Sequence, residues 1–249
     1  MARRYDSRTT TFSPEGRLYQ VEYANEAINN TGTTLGVVCN DSVILAGEKK
    51  VISKLLDKGT ASEKLYMIDD HIVVAVAGIT ADANILINKL RLSAQRFRFQ
   101  YGEPVPVEQL VTELCDLKQG YTQFGGLRPF GVAFMYAGFD HHHGFQLYRS
   151  DPDGVYKGWM ANAMGANKST AESILNEQWK AGMSTQEGLD LVARVLLKAM
   201  DTAAPTSETL EVGILAKDSK NGKVVYRMLN SEEIDTLMKN NKPAEVKND

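Results

Sequence analysis

Cysteine is scarce in this 249-residue chain, which contains only Cys39 and Cys115. Each lies in a strongly apolar stretch, where a buried reduced thiol is more common than a disulfide or a metal ligand. The chain therefore lacks the pattern of a disulfide framework, and its cysteine usage favours a reducing compartment.

Long apolar runs are missing as well, because no uninterrupted run approaches the roughly 20 residues of a membrane-spanning helix. The N-terminus, M-A-R-R-Y-D, is basic like the start of a signal peptide, but hydroxylic and charged residues follow instead of an apolar core. We therefore expect no membrane partner and a location in the cytoplasm and nucleus.

An excess of one charge sign is also absent, since 28 basic and 31 acidic residues are mixed along the chain and leave a net charge of -3. Such a balance supplies no field that would attract nucleic acid. The sequence contains no G-x-x-x-x-G-K motif, so ATP is not expected to bind, and we expect no cofactor. A hydrophobic fraction of 43% is ordinary for a folded globular protein.

What the sequence does contain is a regular succession of strand and helix patterns. A turn, Ser13-Pro14-Glu15-Gly16, precedes a short amphipathic helix over residues 18–30. The predicted strands are 33–39, 42–47, 64–68, 71–77, 130–138, 144–148, 154–159, 208–216 and 223–229. The later helices are predicted at 79–101, 107–121, 168–179, 184–200 and from Ser231 onward.

The order of these elements bears on the architecture. Pairs of strands and pairs of helices follow one another without strict alternation, which disfavours a doubly wound parallel sheet and favours two sheets with helices outside. Ser184 and Glu187 have the spacing of a capping box, and Ser231 is the predicted cap of the last helix. No linker interrupts this order, so we predict one domain over residues 1–249, ending in a charged tail at 239–249.

One segment carries a specific motif, F-S-P-E-G-R-L-Y-Q-V-E-Y-A at residues 12–24. Shorter motifs follow it: G-T-T-L-G at 32–36, S-E-K-L-Y at 62–66, Y-T-Q-F-G-G at 121–126 and R-P-F-G at 128–131. Together they resemble the α-type subunits of the proteasome core particle over most of the chain. The resemblance implies the N-terminal nucleophile hydrolase fold, an α+β four-layer sandwich with two antiparallel sheets between helix layers.

The resemblance also implies a function. In that family, seven α subunits form each outer ring of the core particle, beside rings of β subunits, and the α ring gates substrate entry and docks the regulatory particle or other activators. This chain would then be a non-catalytic subunit of a threonine-type endopeptidase complex in the ubiquitin-proteasome pathway of protein degradation.

By the same resemblance, residues 1–11 correspond to the tail that blocks the pore. Tyr5, Asp6, Arg8, Pro14 and Tyr23 match the family's gate positions, which hold the tail turn in its open arrangement, with Ser7 as a departure where many α subunits have arginine. A carboxylate and two phenols can form a hydrogen-bonded cluster between neighbouring chains, while proline presets a turn. The alternative is an ordinary frayed terminus.

Lys64 matches the family lysine that receives the C-terminal carboxylate of an activator tail, where an ammonium acts as a point charge. Without the family context it would be an ordinary surface lysine, because most surface lysines contribute little.

The alternative hypothesis is an active enzyme, a threonine peptidase that is processed at Gly32-Thr33. Glu48 and Lys64 match the acidic residue and lysine that tune the nucleophile in active β subunits. Counting back from them places Gly32, rather than Thr33, at the nucleophile position, and a one-residue shift turns a strand side chain to the opposite face. We therefore predict no catalytic residue.

Two weaker patterns remain, neither of which predicts a site. His141-His142-His143 could bind a metal, but adjacent residues of an extended loop point in different directions and no matching cysteine or carboxylate spacing accompanies them. A nucleophile pair of Cys39 or Cys115 with His71 would require a proximity that the sequence does not reveal.

Overall fold

The computed structural model describes residues 5–49, 64–200, 205–218 and 222–242. Within these residues the chain forms six helices and ten strands. The helices are α1 Tyr19–Asn29, α2 Thr80–Tyr101, α3 Val107–Gln123, α4 Lys168–Gln178, α5 Thr185–Ala199 and α6 Ser231–Asn240. The strands are β1 Thr34–Val38, β2 Ser42–Glu48, β3 Leu65–Asp69, β4 Ile72–Gly78, β5 Val132–Asp140, β6 Gly144–Ser150, β7 Tyr156–Gly158, β8 Ala161–Met164, β9 Leu210–Lys217 and β10 Val224–Met228.

The strands form two five-stranded sheets. One has the order β10-β9-β2-β1-β8 and the other has the order β3-β4-β5-β6-β7. Every neighbouring pair is antiparallel. The prediction of two antiparallel sheets is thus confirmed.

Strand β2 shows why the sheets lie face to face. Val43 and Leu45 point into the layer between the sheets, whereas Ile44 and Ala46 point to the helices on the outer face. All four side chains are buried, and β4 and β5 divide their residues in the same way. A strand that is apolar on both faces must be covered on both sides.

Helices supply the outer cover. The first sheet packs against α4, α5 and α6, and the second sheet packs against α2 and α3. The four layers are therefore helices, sheet, sheet and helices, which confirms the predicted sandwich. Helix α1 contacts β4 and β5. Among the residues that the structure describes, no helix combines the length and apolar composition needed to cross a bilayer.

The element boundaries agree closely with the sequence except at β8. This strand pairs with β1 through Thr34–Met164 to Val37–Ala161, and the sequence analysis did not predict it. The segment A-N-A-M is short and carries small side chains, so it lacks a strand pattern of its own. Only pairing with β1 makes it a strand.

Helix caps provide one confirmation and one correction. The predicted capping box at Ser184 and Glu187 is present at the start of α5. The cap of α6, however, is Asn230, whose side chain accepts from the Glu233 amide, so the prediction of Ser231 was wrong by one residue. Helix α6 also includes Lys239, so the predicted tail begins later than expected, and residues 243–249 lie outside the described part of the chain.

Helix α3 carries a lysine whose side chain is fully buried, Lys118. Its Nζ donates to the Val132 carbonyl oxygen at 3.2 Å and to Ser150 Oγ at 3.0 Å. It also lies 4.9 Å from the centroid of the Phe134 ring. Burial lowers the pKa of Lys118 to about 8 because the ammonium is removed from water.

Lys118 should therefore make stability depend on pH in the alkaline range. The unfolded chain binds more protons than the folded chain between pH 8 and the ordinary lysine pKa of 10.5. Between those values we expect the free energy of unfolding to rise by roughly 3 kcal/mol relative to the Lys118→Met variant.

Urea denaturation of both proteins across that range measures the difference, with Lys157→Met on the exposed surface of β7 as a control. A difference between wild type and Lys118→Met that stays constant with pH would contradict the prediction.

Candidate functional site

The N-terminal segment enters the fold through a tight turn before α1. The Ser13 amide donates to the Arg17 carbonyl oxygen at 2.9 Å, and the Ser13 hydroxyl accepts from the Arg17 amide at 3.1 Å. Gly16 has a φ of 77°, which a residue without Cβ adopts at no steric cost. Pro14, inside this turn, presets the backbone angle there. The turn fixes the direction in which residues 5–12 leave the helix.

Asp6 is the residue through which the segment contacts α1. Its backbone carbonyl accepts a hydrogen bond from Gln20 Nε2. Its carboxylate accepts from Tyr23 Oη at 3.4 Å. The ring of Tyr23 stacks on that of Tyr19, with centroids 6.4 Å apart. The structure therefore brings Asp6 and Tyr23 together within one chain, and the cluster between neighbouring chains that the resemblance implies stays a prediction.

The other predicted gate residues lie near this cluster without joining it. Tyr5 is half-buried, while Arg8 and Pro14 are exposed. Among the hydrogen bonds of the described residues, none links these three side chains to Asp6 or Tyr23. Their roles stay predictions.

A cleft of about 550 Å³ lies beneath the segment. Residues 7–10 form one wall, and Gln20 and residues 125–128 form the rest. Thr9 is only 9% exposed, so the chain here lies against the body of the protein.

The second candidate region is the junction between α1 and β1, where Gly32, Glu48 and Lys64 meet. Lys64 Nζ lies 3.5 Å from the Gly32 carbonyl oxygen, and Glu48 Oε2 accepts from the Thr33 amide at 3.2 Å. The prediction that Gly32 lies beside Glu48 and Lys64, made by counting back from those two residues, is thus confirmed. The ammonium and the carboxylate therefore both contact backbone groups just before β1.

Thr33 does not present its hydroxyl to this pair. Its Oγ1 donates to the Ala166 carbonyl oxygen at 2.6 Å, and the residue is fully buried. A Cβ atom at Gly32 would lie 2.8 Å from the Glu48 carbonyl oxygen, which is too close for a real side chain. The position that faces Lys64 therefore has neither a hydroxyl nor room for one.

The histidine run lies in the turn between β5 and β6. The backbone amides of His142 and His143 donate to Asp140 Oδ1 at 3.0 and 2.8 Å, so the carboxylate shapes the turn. Within the described ranges, no group of three histidine, cysteine or acidic side chains could hold a metal ion.

Both cysteines are buried, as the sequence predicted. Burial raises the pKa of Cys115 to about 11 and also raises the pKa of Cys39. Both therefore stay thiols rather than nucleophilic thiolates. His71 is engaged elsewhere, with Nε2 2.7 Å from the Val105 carbonyl oxygen.

Comparison with known families matches both parts of the chain. The profile of the proteasome subunit family covers residues 28–215, and the profile of the N-terminal signature of A-type (α) proteasome subunits covers residues 5–27. The chain belongs to the proteasome subunit family. Its N-terminal match identifies it as an α-type subunit, and the bond of the Thr33 hydroxyl to the Ala166 carbonyl oxygen agrees with the non-catalytic class.

Curated relatives carry the same assignment. The chain is 58% identical over 239 residues to the alpha type-4-A proteasome subunit of Arabidopsis thaliana, covering 96% of this chain and 95% of the relative. It is 57% identical over 238 residues to the alpha type-4-1 proteasome subunit of Oryza sativa subsp. indica, with the same coverage. It is 56% identical over 241 residues to the alpha type-4 proteasome subunit of Dictyostelium discoideum, covering 96% of each.

Sequence reasoning missed two contributors to the N-terminal site in this subunit. Gln20, which holds the Asp6 backbone, lies inside the recognised motif without any signal of its own. Arg128 opens the R-P-F-G motif and lines the cleft, but nothing in the sequence pairs it with the segment some 120 residues earlier.

Thr33 should behave as a structural residue. Thr33→Val keeps the shape of the side chain but leaves the buried Ala166 carbonyl without this donor, which we expect to lower the free energy of unfolding by about 1–3 kcal/mol. Peptide hydrolysis by the assembled particle should stay unchanged. Urea denaturation and a fluorogenic peptide assay measure the two quantities.

Thr33→Ser is the matched control because it keeps the hydroxyl and should retain most of the stability. Loss of peptide hydrolysis in normally assembled Thr33→Val particles would indicate a catalytic role and contradict the prediction.

Proposed function

We propose that this subunit occupies the outer α ring of the proteasome core particle and that its N-terminal segment forms part of a gate over the pore. The observation that carries the proposal is the attachment of Asp6 to α1 by Gln20 and Tyr23. The segment is held by few hydrogen bonds, and Ser7, Arg8 and Thr10 are exposed, so it can be released without unfolding the domain. This property suits a barrier that opens reversibly.

The contacts within this single chain support a simple mechanism for the closed state, in which Asp6 and Tyr23 do not yet form the cluster between neighbouring chains that the resemblance implies for the open arrangement. The turn from Ser13 to Arg17 sets the exit direction, and the bonds to Asp6 hold the next residues over the cleft. A carboxylate and an exposed phenol exchange partners easily, since each can hydrogen-bond to water or to a neighbouring chain. Opening then requires only local rearrangement.

We further infer that Lys64 docks the C-terminal carboxylate of an activator. The lysine immediately precedes β3 and is half-buried, and its Nζ lies 3.5 Å from the Gly32 carbonyl oxygen. Gly32 follows the C-terminal end of α1, the helix that holds Asp6 through Gln20 and Tyr23, so a carboxylate bound at Lys64 would act on the gate through this helix. Opposite charges in a partly desolvated position attract more strongly than on an open surface.

Family membership supports a wider proposal. We propose a ring of seven α subunits in contact with β-ring subunits and with the regulatory particle or other activators. In that setting the subunit serves ubiquitin-dependent protein degradation in the cytoplasm and nucleus. Fluorescent tagging of the native subunit tests the location.

Removal of residues 1–11 should open the gate. We expect the activator-free hydrolysis of fluorogenic peptides by the whole particle to rise about ten-fold, because a minor open state becomes the major one. The measurement uses purified particles that have been checked for complete assembly by native electrophoresis.

Tyr23→Phe provides the graded comparison, since it removes only the hydroxyl group 3.4 Å from Asp6 and should give a smaller increase. Unchanged basal hydrolysis after deletion, in particles that are fully assembled, would refute the gating role.

Lys64→Ala should weaken activation without changing the closed state. We expect the activator concentration for half-maximal stimulation to rise about ten-fold or more, because a charged partner of the carboxylate is lost. Titration of activator against peptide hydrolysis measures this value. Lys157→Ala, on the exposed surface of β7, is the control, and equal behaviour of the two variants would contradict docking at Lys64.

A further inference from the structure

An ion pair joins the first turn of α2 to the loop beneath the N-terminal segment. Asp82 Oδ2 accepts from Arg128 Nη1 at 2.6 Å, and Asp82 Oδ1 accepts from Arg128 Nη2 at 2.9 Å. The carboxylate is 7% exposed, and it also accepts from the Gly131 amide at 2.9 Å. A two-oxygen, two-nitrogen contact of this kind fixes direction as well as distance.

This pair anchors one end of the loop between α3 and β5. At the other end, the Phe124 amide closes α3 by donating to the Gly120 carbonyl oxygen at 2.9 Å. Between the anchors lie Gly125, Gly126 and an exposed Leu127. Glycines give a loop many accessible conformations, so its position depends on the anchors rather than on its own stiffness.

The loop supports the N-terminal segment directly. Residues 125–128 form the wall of the cleft that faces residues 7–10. A Cβ atom added to Gly125 would lie 3.9 Å from Thr10 Oγ1, which is van der Waals distance. A movement of the loop by a few ångströms would therefore remove the surface on which residues 9 and 10 rest.

We propose that Asp82 and Arg128 are positioning residues for the N-terminal segment: their ion pair holds the loop at 124–131 where it seats residues 7–10. The inference deepens the proposed gate and rests on it for its effect on activity. The contact of residues 7–10 with the loop is a separate property, and protease access to the segment measures it without an activity assay.

Asp82→Asn tests the inference in the assembled particle. The amide is the same size and keeps an oxygen for the Gly131 amide, but it removes the charge and one acceptor of Arg128. A charge-assisted hydrogen bond shifts a local equilibrium by about ten-fold. We expect trypsin cleavage after Arg8, followed by mass spectrometry, to accelerate by about that factor, and activator-free peptide hydrolysis to rise.

The molecule offers a closely matched control at the other end of α2. Asp69, 4% exposed, accepts from Arg98 Nη2 through both oxygens, at 2.9 and 3.0 Å, and from the Asp70 amide at 2.9 Å. Neither Asp69 nor Arg98 lines the cleft beneath the segment. Asp69→Asn therefore disrupts an ion pair with a similarly buried carboxylate, and it should leave both cleavage after Arg8 and basal hydrolysis at wild-type values.

The outcomes separate the inference from the proposed gate. Wild-type cleavage after Arg8 in Asp82→Asn particles, or equal acceleration by Asp69→Asn, would overturn the positioning role even if deletion of residues 1–11 raises hydrolysis. Faster cleavage after Arg8 with unchanged hydrolysis in both the variant and the deletion would support positioning and refute the gate. If Asp82→Asn prevents assembly, Arg128→Gln is subjected to the same two measurements, since its side chain is 61% exposed.

Discussion

The close approach of the two sheets is the constraint on which the other features depend. Gly36 in β1 faces the layer between the sheets, where an added Cβ atom would lie 2.6 Å from Met135 Sδ and 2.8 Å from Leu147 Cδ1. That contact brings β1 firmly against the second sheet and so determines where the chain just before it must run. The position of Gly32, and of the N-terminal helix that precedes it, follows from this packing.

The junction at Gly32 has the lysine and the carboxylate of a threonine-peptidase site but no threonine hydroxyl beside them. An ammonium and a carboxylate stand beside the start of β1, yet both bond to backbone groups of the chain that continues into α1. The threonine next to them is turned toward Ala166. The chain just before Gly32 is α1, which holds Asp6 through Gln20 and Tyr23. The contacts at Gly32 and Thr33 therefore lie directly after the helix that holds the N-terminal segment.

Buried charges serve positioning elsewhere in the molecule. Asp82 and Asp69 each combine an arginine with a backbone amide, so each carboxylate is satisfied as it links helix α2 to a neighbouring loop or strand. The Arg128 guanidinium and the Gly131 amide hold the pKa of Asp82 below its usual range, which keeps the pair charged at neutral pH. Lys118 is the exception, because it is buried among neutral acceptors, and burial lowers its pKa. Desolvating a charge costs free energy, so charged side chains are buried only where well-oriented hydrogen bonds or ion pairs offset that cost.

The sequence by itself determined two sheets with helices outside, the N-terminal helix and the capping box at Ser184, because local periodicity and short-range hydrogen bonding are contained in the linear order. The four-layer sandwich and the place of Gly32 beside Lys64 came from the resemblance of its motifs to the proteasome family. Only the tertiary structure decided that A-N-A-M at 161–164 is a strand, that Gln20 holds Asp6, and that Arg128 supports residues 7–10. Each of those contacts joins side chains or strands whose own pattern is weak, so their partners are set by the packing of the whole sandwich rather than by the neighbouring sequence.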